Sequence, residues 1–138
     1  MDSESDTDQS ALSESTMSDL NSRVTIYSDR VLLLREVVDM TPATVEVMWD
    51  RVGLLSADWD SFILIADVRA AARPDSKSRR QLTQRISALK DKMRLIVAIT
   101  GDNMVIRAAA WFVMGRSGVP VQVVGDEMQA LEKVQASG

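Results

Sequence analysis

Two nearly continuous apolar runs, with one amphipathic helical pattern between them, constrain the fold of this chain more than any other feature. The runs are "SFILIADV" at 61–68 and "RLIVAIT" at 94–100. Runs of this kind are typical of strands that are covered on both faces, as in parallel sheets. The segment between them, "DSKSRRQLTQRISALKDKM", places apolar side chains on one helical stripe at Leu82, Ile86, Leu89 and Met93. A strand, a helix and a second strand in this order predict part of a parallel sheet.

The rest of the chain continues the alternation in both directions. "VTIYSD" and "RVLLLREVV" predict a hairpin with its turn at Ser28, Asp29 and Arg30. "TPATVEVMWDRVGLL" predicts a helix capped by Thr41, because Pro42 fits the first helical position. An Ala-rich helix, "NMVIRAAAWFVMGRSG", a strand, "VPVQVVGD", and a helix, "EMQALEKVQA", come after the second apolar run. The predicted class is α/β, with a mixed, mainly parallel sheet opened by a β-hairpin and helices packed on the sheet.

The first 22 residues have a different composition from the rest. "MDSESDTDQSALSESTMSDLNS" contains six acidic residues and no Lys or Arg. Such a segment buries too little apolar surface to offset its conformational entropy, although Leu12, Met17 and Leu20 could form a short binding face. We therefore predict a disordered acidic, Ser-rich tail at 1–22 and one folded domain at 23–138. The tail is expected either to act as a loose electrostatic competitor over the basic part of the domain or only to keep the protein in solution.

The chain contains no cysteine and no histidine, which excludes most enzyme chemistry. Disulfides, thiolate nucleophiles and cysteine metal sites all need cysteine. Histidine is the usual general base and the usual zinc ligand. The Gly-rich phosphate loops GxxxxGK[ST] and GxGxxG are also missing. We therefore expect a protein that is not an enzyme and that carries no cofactor. The apolar runs are too short to span a bilayer and no secretory signal is present, so we expect a cytoplasmic location.

Three carboxylates lie at or just beyond predicted strand ends, where open α/β sheets usually place their sites. They are Asp67, Asp102 and Asp126, and together they could hold Mg²⁺. Aspartate is also common in turns and at helix N-caps, and we favour that structural role, with no metal. A phosphorylated receiver domain would need a lysine after the last strand, and this chain has "VVGD" there.

The largest one-sign patch of the predicted domain lies at 69–94. It contains nine basic residues against two acidic ones, a net charge of +7. Electrostatic binding of nucleic acid is one interpretation. Because aromatic residues are few and the whole chain has a net charge of −4, we favour a solvated basic helix face and expect no nucleic-acid partner.

The stretch "ILIADVRAAARPDSKSRR" at 63–80 resembles the STAS-like family, whose namesakes are sulfate-transporter tails and anti-sigma-factor antagonists. That family has a strand ending in Asp and an Asp-Ser-Ser/Thr-Gly signature eight residues later, matched here by Asp67 and by Asp75 with Ser76. "RLIVAIT" and "VQVVGDEMQAL" are similar to the family's later strand and final helix. The family's phosphoacceptor position holds Lys77, and Ser78 replaces its glycine. The chain is more similar to the divergent SpoIIAA-like branch.

The resemblance implies a non-catalytic, regulatory protein-interaction module of signalling type. We expect its partner to be a protein with an acidic surface, a kinase or a regulator, bound through the rim at residues 67–80. The expected contact residues are Asp67, Arg69, Arg73, Asp75, Ser76, Lys77, Arg79 and Arg80. The physical basis is the positive end of the helix that begins near Asp75, reinforced by the arginines.

Two further hypotheses concern the same region and the core. Ser76 is expected to be the N-cap of the basic helix, while Ser76 or Ser78 is the possible phosphoacceptor. The alternative function is a carrier or sensor that binds a small apolar ligand between sheet and helices. Its candidate lining residues are Met48, Trp49, Val52, Trp111 and Met114.

Overall fold

The computed structural model describes residues 12–137, which form five strands and five helices. The strands are β1 (Val24–Ser28), β2 (Val31–Arg35), β3 (Phe62–Asp67), β4 (Met93–Ile99) and β5 (Val121–Val124). The helices are α1 (Glu14–Ser22), α2 (Pro42–Leu55), α3 (Ser76–Ala88), α4 (Met104–Gly115) and α5 (Glu127–Ser137). The α/β class is confirmed, and so is the order of elements from β1 onwards.

One mixed sheet contains all five strands in chain order, β1-β2-β3-β4-β5. β1 and β2 are antiparallel, and the remaining neighbours are parallel. The turn between β1 and β2 includes Arg30 in the left-handed region, at φ 59°. Arg35, Asp67 and Ile99 are register partners at the carboxyl ends of adjacent strands. The sheet is therefore opened by a hairpin and continues as a parallel sheet, as the sequence predicts.

The two faces of the sheet are covered unequally. The larger apolar cluster joins one face to α1, α2, α3 and α4, with Phe62, Leu64 and Ile96 almost completely buried. The smaller cluster lies on the opposite face and includes Ala130 of α5. Its sheet residues are Val31, Ile63, Ile65, Leu95, Val97, Ile99 and Val124. Four helices thus pack on one face, and α5 packs on the other.

Local sequence signals account for most helix boundaries. Thr41 caps α2 through a reciprocal capping box with Thr44, and Pro42 is its first residue. The basic helix is shorter than predicted, because α3 ends at Ala88. A turn follows, and Met93 is the first residue of β4. The apolar stripe predicted from the sequence therefore included Leu82 and Ile86 of α3 together with Met93, which belongs to the next strand.

The prediction of a disordered tail at 1–22 is corrected for the described part of that segment. Residues Glu14–Ser22 form α1, and the Ser13 side chain accepts a hydrogen bond from the Thr16 N–H at 3.1 Å. Leu20 is buried in the main apolar cluster, and Leu12 packs against the same cluster. A sparse apolar face was enough because α2 and β1 provide its partner surface. Residues 1–11, which hold the rest of the predicted tail, lie outside the described residues.

Candidate interaction surface

Arg69 joins two acidic side chains at the carboxyl ends of the strands. Its Nε donates to Asp67 Oδ1 at 3.0 Å, and its Nη2 donates to Asp67 Oδ2 at 2.8 Å. The same Nη2 donates to Glu127 Oε1 of α5 at 3.0 Å. Gly101 lies close to this side chain at φ +67°, where a Cβ would stand 3.6 Å from Arg69 Cγ. Arg69 therefore connects the end of β3 to the start of α5.

The charges of this cluster balance one another. Burial alone would raise the pKa of Asp67, but hydrogen bonds from Arg69 and the charges of Arg69 and Arg35 outweigh it, so this pKa lies below its usual value. The hydrogen bond to Asp67 also raises the pKa of Arg69. Asp67 and Arg69 thus form a bidentate ion pair, in which each already has a partner.

The N-cap of α3 is Asp75, which corrects the prediction for Ser76. The Asp75 Oδ1 accepts a hydrogen bond from the Ser78 N–H at 2.7 Å, and Ser76 is the first helical residue. Hydrogen bonds from Ser78 hold the pKa of Asp75 below its usual value. Asp and Ser are comparable N-caps, so adjacent copies in a sequence do not show which one is used. An acidic group arriving at this helix end would meet a carboxylate that is already in place.

The two candidate phosphoacceptors have opposite environments. Ser76 is exposed on the first turn of α3. Ser78 is buried, and its hydroxyl donates to the Met40 carbonyl oxygen at 3.3 Å. A kinase can reach Ser76 on the folded protein, whereas Ser78 would first have to leave its position.

Four basic residues of the rim have no ion-pair partner among residues 12–137. They are Arg73, Lys77, Arg79 and Arg80. Arg85, further along α3, is different because it pairs with Glu46 at 2.5 Å and with Asp50 at 2.8 Å. Within the rim, the positive charge available to a partner therefore lies in the loop before α3 and in the first turns of α3.

The structure divides the predicted rim between two sides of the sheet. Asp67 lines a small recess beside α5 that also contains Ile65 and Ile99, and Arg69 donates a hydrogen bond to Glu127 of α5. Arg73 and Arg79 lie on the other side, next to α4. The single contact face expected from the sequence is thus two surfaces that meet at the end of β3.

A groove beside α4 is the part of the surface that sequence reasoning missed. Its volume is about 600 Å³, and we call it the α4 groove. It is lined by Arg73, Arg79, Met104, Val105, Ala108, Ala109 and Phe112. The available signal was the composition of α4, "MVIRAAAWFVMG", in which Arg107 is the only charged residue. Packing of this helix on the sheet, which the sequence predicts, needs only one of its apolar faces.

The candidate ligand-lining residues do not lie together. Met48, Trp49, Val52 and Met114 are buried in the main cluster, whereas Trp111 is half exposed on the outer side of α4. A cavity near Met114 has a volume of about 40 Å³, space for one or two water molecules.

The three carboxylates at the strand ends have separate environments. Asp67 pairs with Arg69, and Asp126 accepts from the Gln129 N–H at 2.9 Å near the start of α5. Asp102 is exposed, and its neighbour Asn103 caps α4. Across residues 12–137, no three such groups are arranged to hold a metal ion.

The chain matches no family model and no curated protein. In the described part of the chain, no helix combines the length and the apolar character that a membrane crossing requires.

Proposed function

We propose that the protein is a non-catalytic regulatory module that binds a protein partner through the rim at residues 67–80. The observation that carries this proposal is the set of four rim side chains without an ion-pair partner in residues 12–137, Arg73, Lys77, Arg79 and Arg80. Side chains of this kind favour a partner with an acidic surface, because opposite charges speed encounter and fix orientation.

The α/β layout supports a STAS-like assignment as part of the same proposal. β3 ends in Asp67, a loop follows, and α3 begins directly after Asp75. In this scheme Arg73, Lys77 and Arg80 contact the partner, and the Asp67–Arg69 pair holds the base of the loop. Phosphorylation of Ser76 would place a dianion among these cations and weaken binding of an acidic partner.

The proposal is tested by affinity capture with the full-length protein in extract of the cells from which it comes. Wild type is compared with Lys77→Glu/Arg80→Glu, which reverses two rim charges. The matched control is Lys90→Glu/Lys133→Glu, which makes the same change in net charge at exposed positions outside the rim. Retained proteins are quantified by mass spectrometry, and the purified protein is weighed under native conditions.

We expect at least one protein to be retained by wild type and by the control and to be lost from the rim variant. The proposal fails if every retained protein is insensitive to the rim substitutions. A small apolar molecule retained by the purified protein in the native measurement would instead favour the carrier function.

A further inference from the structure

Helix α4 is apolar on both of its faces. Ile106, Ala110, Val113 and Met114 form its buried face and pack in the main cluster. The opposite face carries Met104, Val105, Ala108, Trp111, Phe112 and Gly115. The large side chains of this outer face are between 50% and 73% exposed. A helix that is apolar all round is normally buried on all sides, so this outer face resembles an uncovered interface.

The outer face is bordered by positive charge. The guanidinium carbon of Arg79 lies 5.9 Å from the centroid of the Phe112 ring, and that of Arg116 lies 5.1 Å from it. Cation–π attraction holds both groups beside the apolar surface. Arg73 lines the same groove. Neither α3 nor α4 contains an acidic residue.

We propose that the α4 groove binds an acidic amphipathic helix of a partner protein. The inference rests on the proposed function, since it specifies the partner's chemistry at part of the same rim. The partner helix would place its large apolar residues over Met104, Val105 and Phe112. Its carboxylates would lie along the edges of that apolar stripe and pair with Arg73, Arg79 and Arg116.

The geometry favours a helix over an extended strand. The backbone groups of α4 are already hydrogen-bonded within the helix, so the surface offers side chains and no open strand edge. Met104 and Phe112 are eight residues apart, which is about 12 Å along the axis at the standard helical rise. Two to three turns of a partner helix would cover that length.

The charge pattern argues against a second copy of this chain as the occupant. In a symmetric dimer the same patch meets itself, so the arginine border of one protomer would face that of the other. Like charges across an interface are unfavourable. The groove of about 600 Å³ also has room for the side chains of a protein segment, whereas a flat lipid surface would not follow its concave shape.

Titration with a synthetic peptide tests the proposal on the full-length protein. The probe is an 18-residue amphipathic peptide with leucines at i, i+3, i+4 and i+7, and with glutamates on both edges of that stripe. A second peptide carries lysine in place of each glutamate, and neither contains tryptophan. Binding is measured by anisotropy of the labelled peptides and by tryptophan emission. Trp111 is 50% exposed, whereas Trp49 is 2% exposed and Trp59 is partly buried against the main cluster.

We expect saturable binding of the acidic peptide with a blue shift of the tryptophan emission, and much weaker binding of the basic peptide. Phe112→Ser and Arg73→Glu/Arg79→Glu should each weaken the acidic peptide about 30-fold, as expected for substitution of anchor residues. The matched control is Met128→Ser, at an exposed apolar residue of α5, and it should bind like wild type. Circular dichroism and thermal melting establish that each variant is folded.

The rim and the groove can fail separately. Peptide binding that survives in Lys77→Glu/Arg80→Glu supports the groove, even if no rim-dependent protein is found. Binding that is lost in that variant but unchanged in Phe112→Ser overturns the groove proposal and leaves the rim proposal intact. The groove proposal is also overturned if both peptides bind equally or if neither binding curve saturates. Two further results would overturn it: self-association through Phe112 in sedimentation, and Phe112-dependent binding to phosphatidylcholine–phosphatidylglycerol vesicles without peptide binding.

Discussion

Glu36 is the one buried charged residue among residues 12–137, directly after β2. Burial raises the pKa of its carboxyl. Two effects offset this rise only in part: the Val37 N–H donates a hydrogen bond to Oε1 at 3.0 Å, and Arg23 carries a positive charge. A carboxyl with a higher pKa in the folded than in the unfolded protein favours folding at acid pH. Its contribution is lost as the pH rises through the folded-state pKa.

We predict that Glu36→Gln removes this loss. Glutamine keeps an oxygen acceptor for the Val37 N–H but cannot ionise. The free energy of unfolding of the variant, relative to wild type, should therefore increase as the pH rises above 4.5. Urea denaturation at several pH values measures it. Glu132→Gln, at an exposed position of α5, is the matched control, and parallel curves for wild type and Glu36→Gln would contradict the prediction.

Asp75 gives a second prediction for a single residue. Because Asp75 caps α3 and Ser76 only follows it, Asp75→Ala should lower the urea midpoint clearly and Ser76→Ala should change it little. Asp75→Asn should retain most of the stability at neutral pH, since the amide oxygen can accept the same hydrogen bond. The pKa of Asp75 is lowered in the folded protein, so its stabilisation is lost as the pH falls below about 3.8. A larger effect of Ser76→Ala than of Asp75→Ala would contradict this assignment.

At the scale of elements, α1 provides the sharpest test of packing. Leu20 is 2% exposed and lies in the main cluster with residues of α2 and β1. Leu20→Ala should lower the free energy of unfolding by about 2–5 kcal/mol, as for other buried leucines. Ser18→Ala, at an exposed position of the same helix, should change it by less than about 0.5 kcal/mol. Chemical denaturation measures both, and equal, small effects would show that α1 does not dock on the domain.

The sequence predicted the elements from β1 onwards because their apolar periods are strong, as in the uninterrupted run of β3. It did not predict α1, because serine and acidic residues dominate that segment. Its few apolar residues stabilise a helix only when they pack against the rest of the domain. It also could not show which side of α4 is covered. Both faces of that helix are apolar, and the choice depends on how the helix lies against the sheet.

At the scale of the whole molecule, the sheet class followed from the sequence but the division of the rim did not. The pattern places Asp67 and Arg69 at a strand end and predicts a helix start near Asp75. Pairing of Arg69 with Glu127, 58 residues away, depends on α5 packing on the second face of the sheet. Long-range pairs of this kind leave no periodic signal in the sequence. The sequence therefore predicted one contact site at residues 67–80, whereas the fold divides these residues between two surfaces.

The unequal covering of the sheet also sets an order of events during synthesis. All five strands precede α5 in the chain, and the cover of the second face follows them. A chain whose strands have paired before α5 docks presents a bare apolar surface formed by Ile63, Ile65, Leu95 and Val97. Ribosome-associated chaperones, which bind exposed apolar segments, would therefore meet this protein on the face opposite its proposed partner groove.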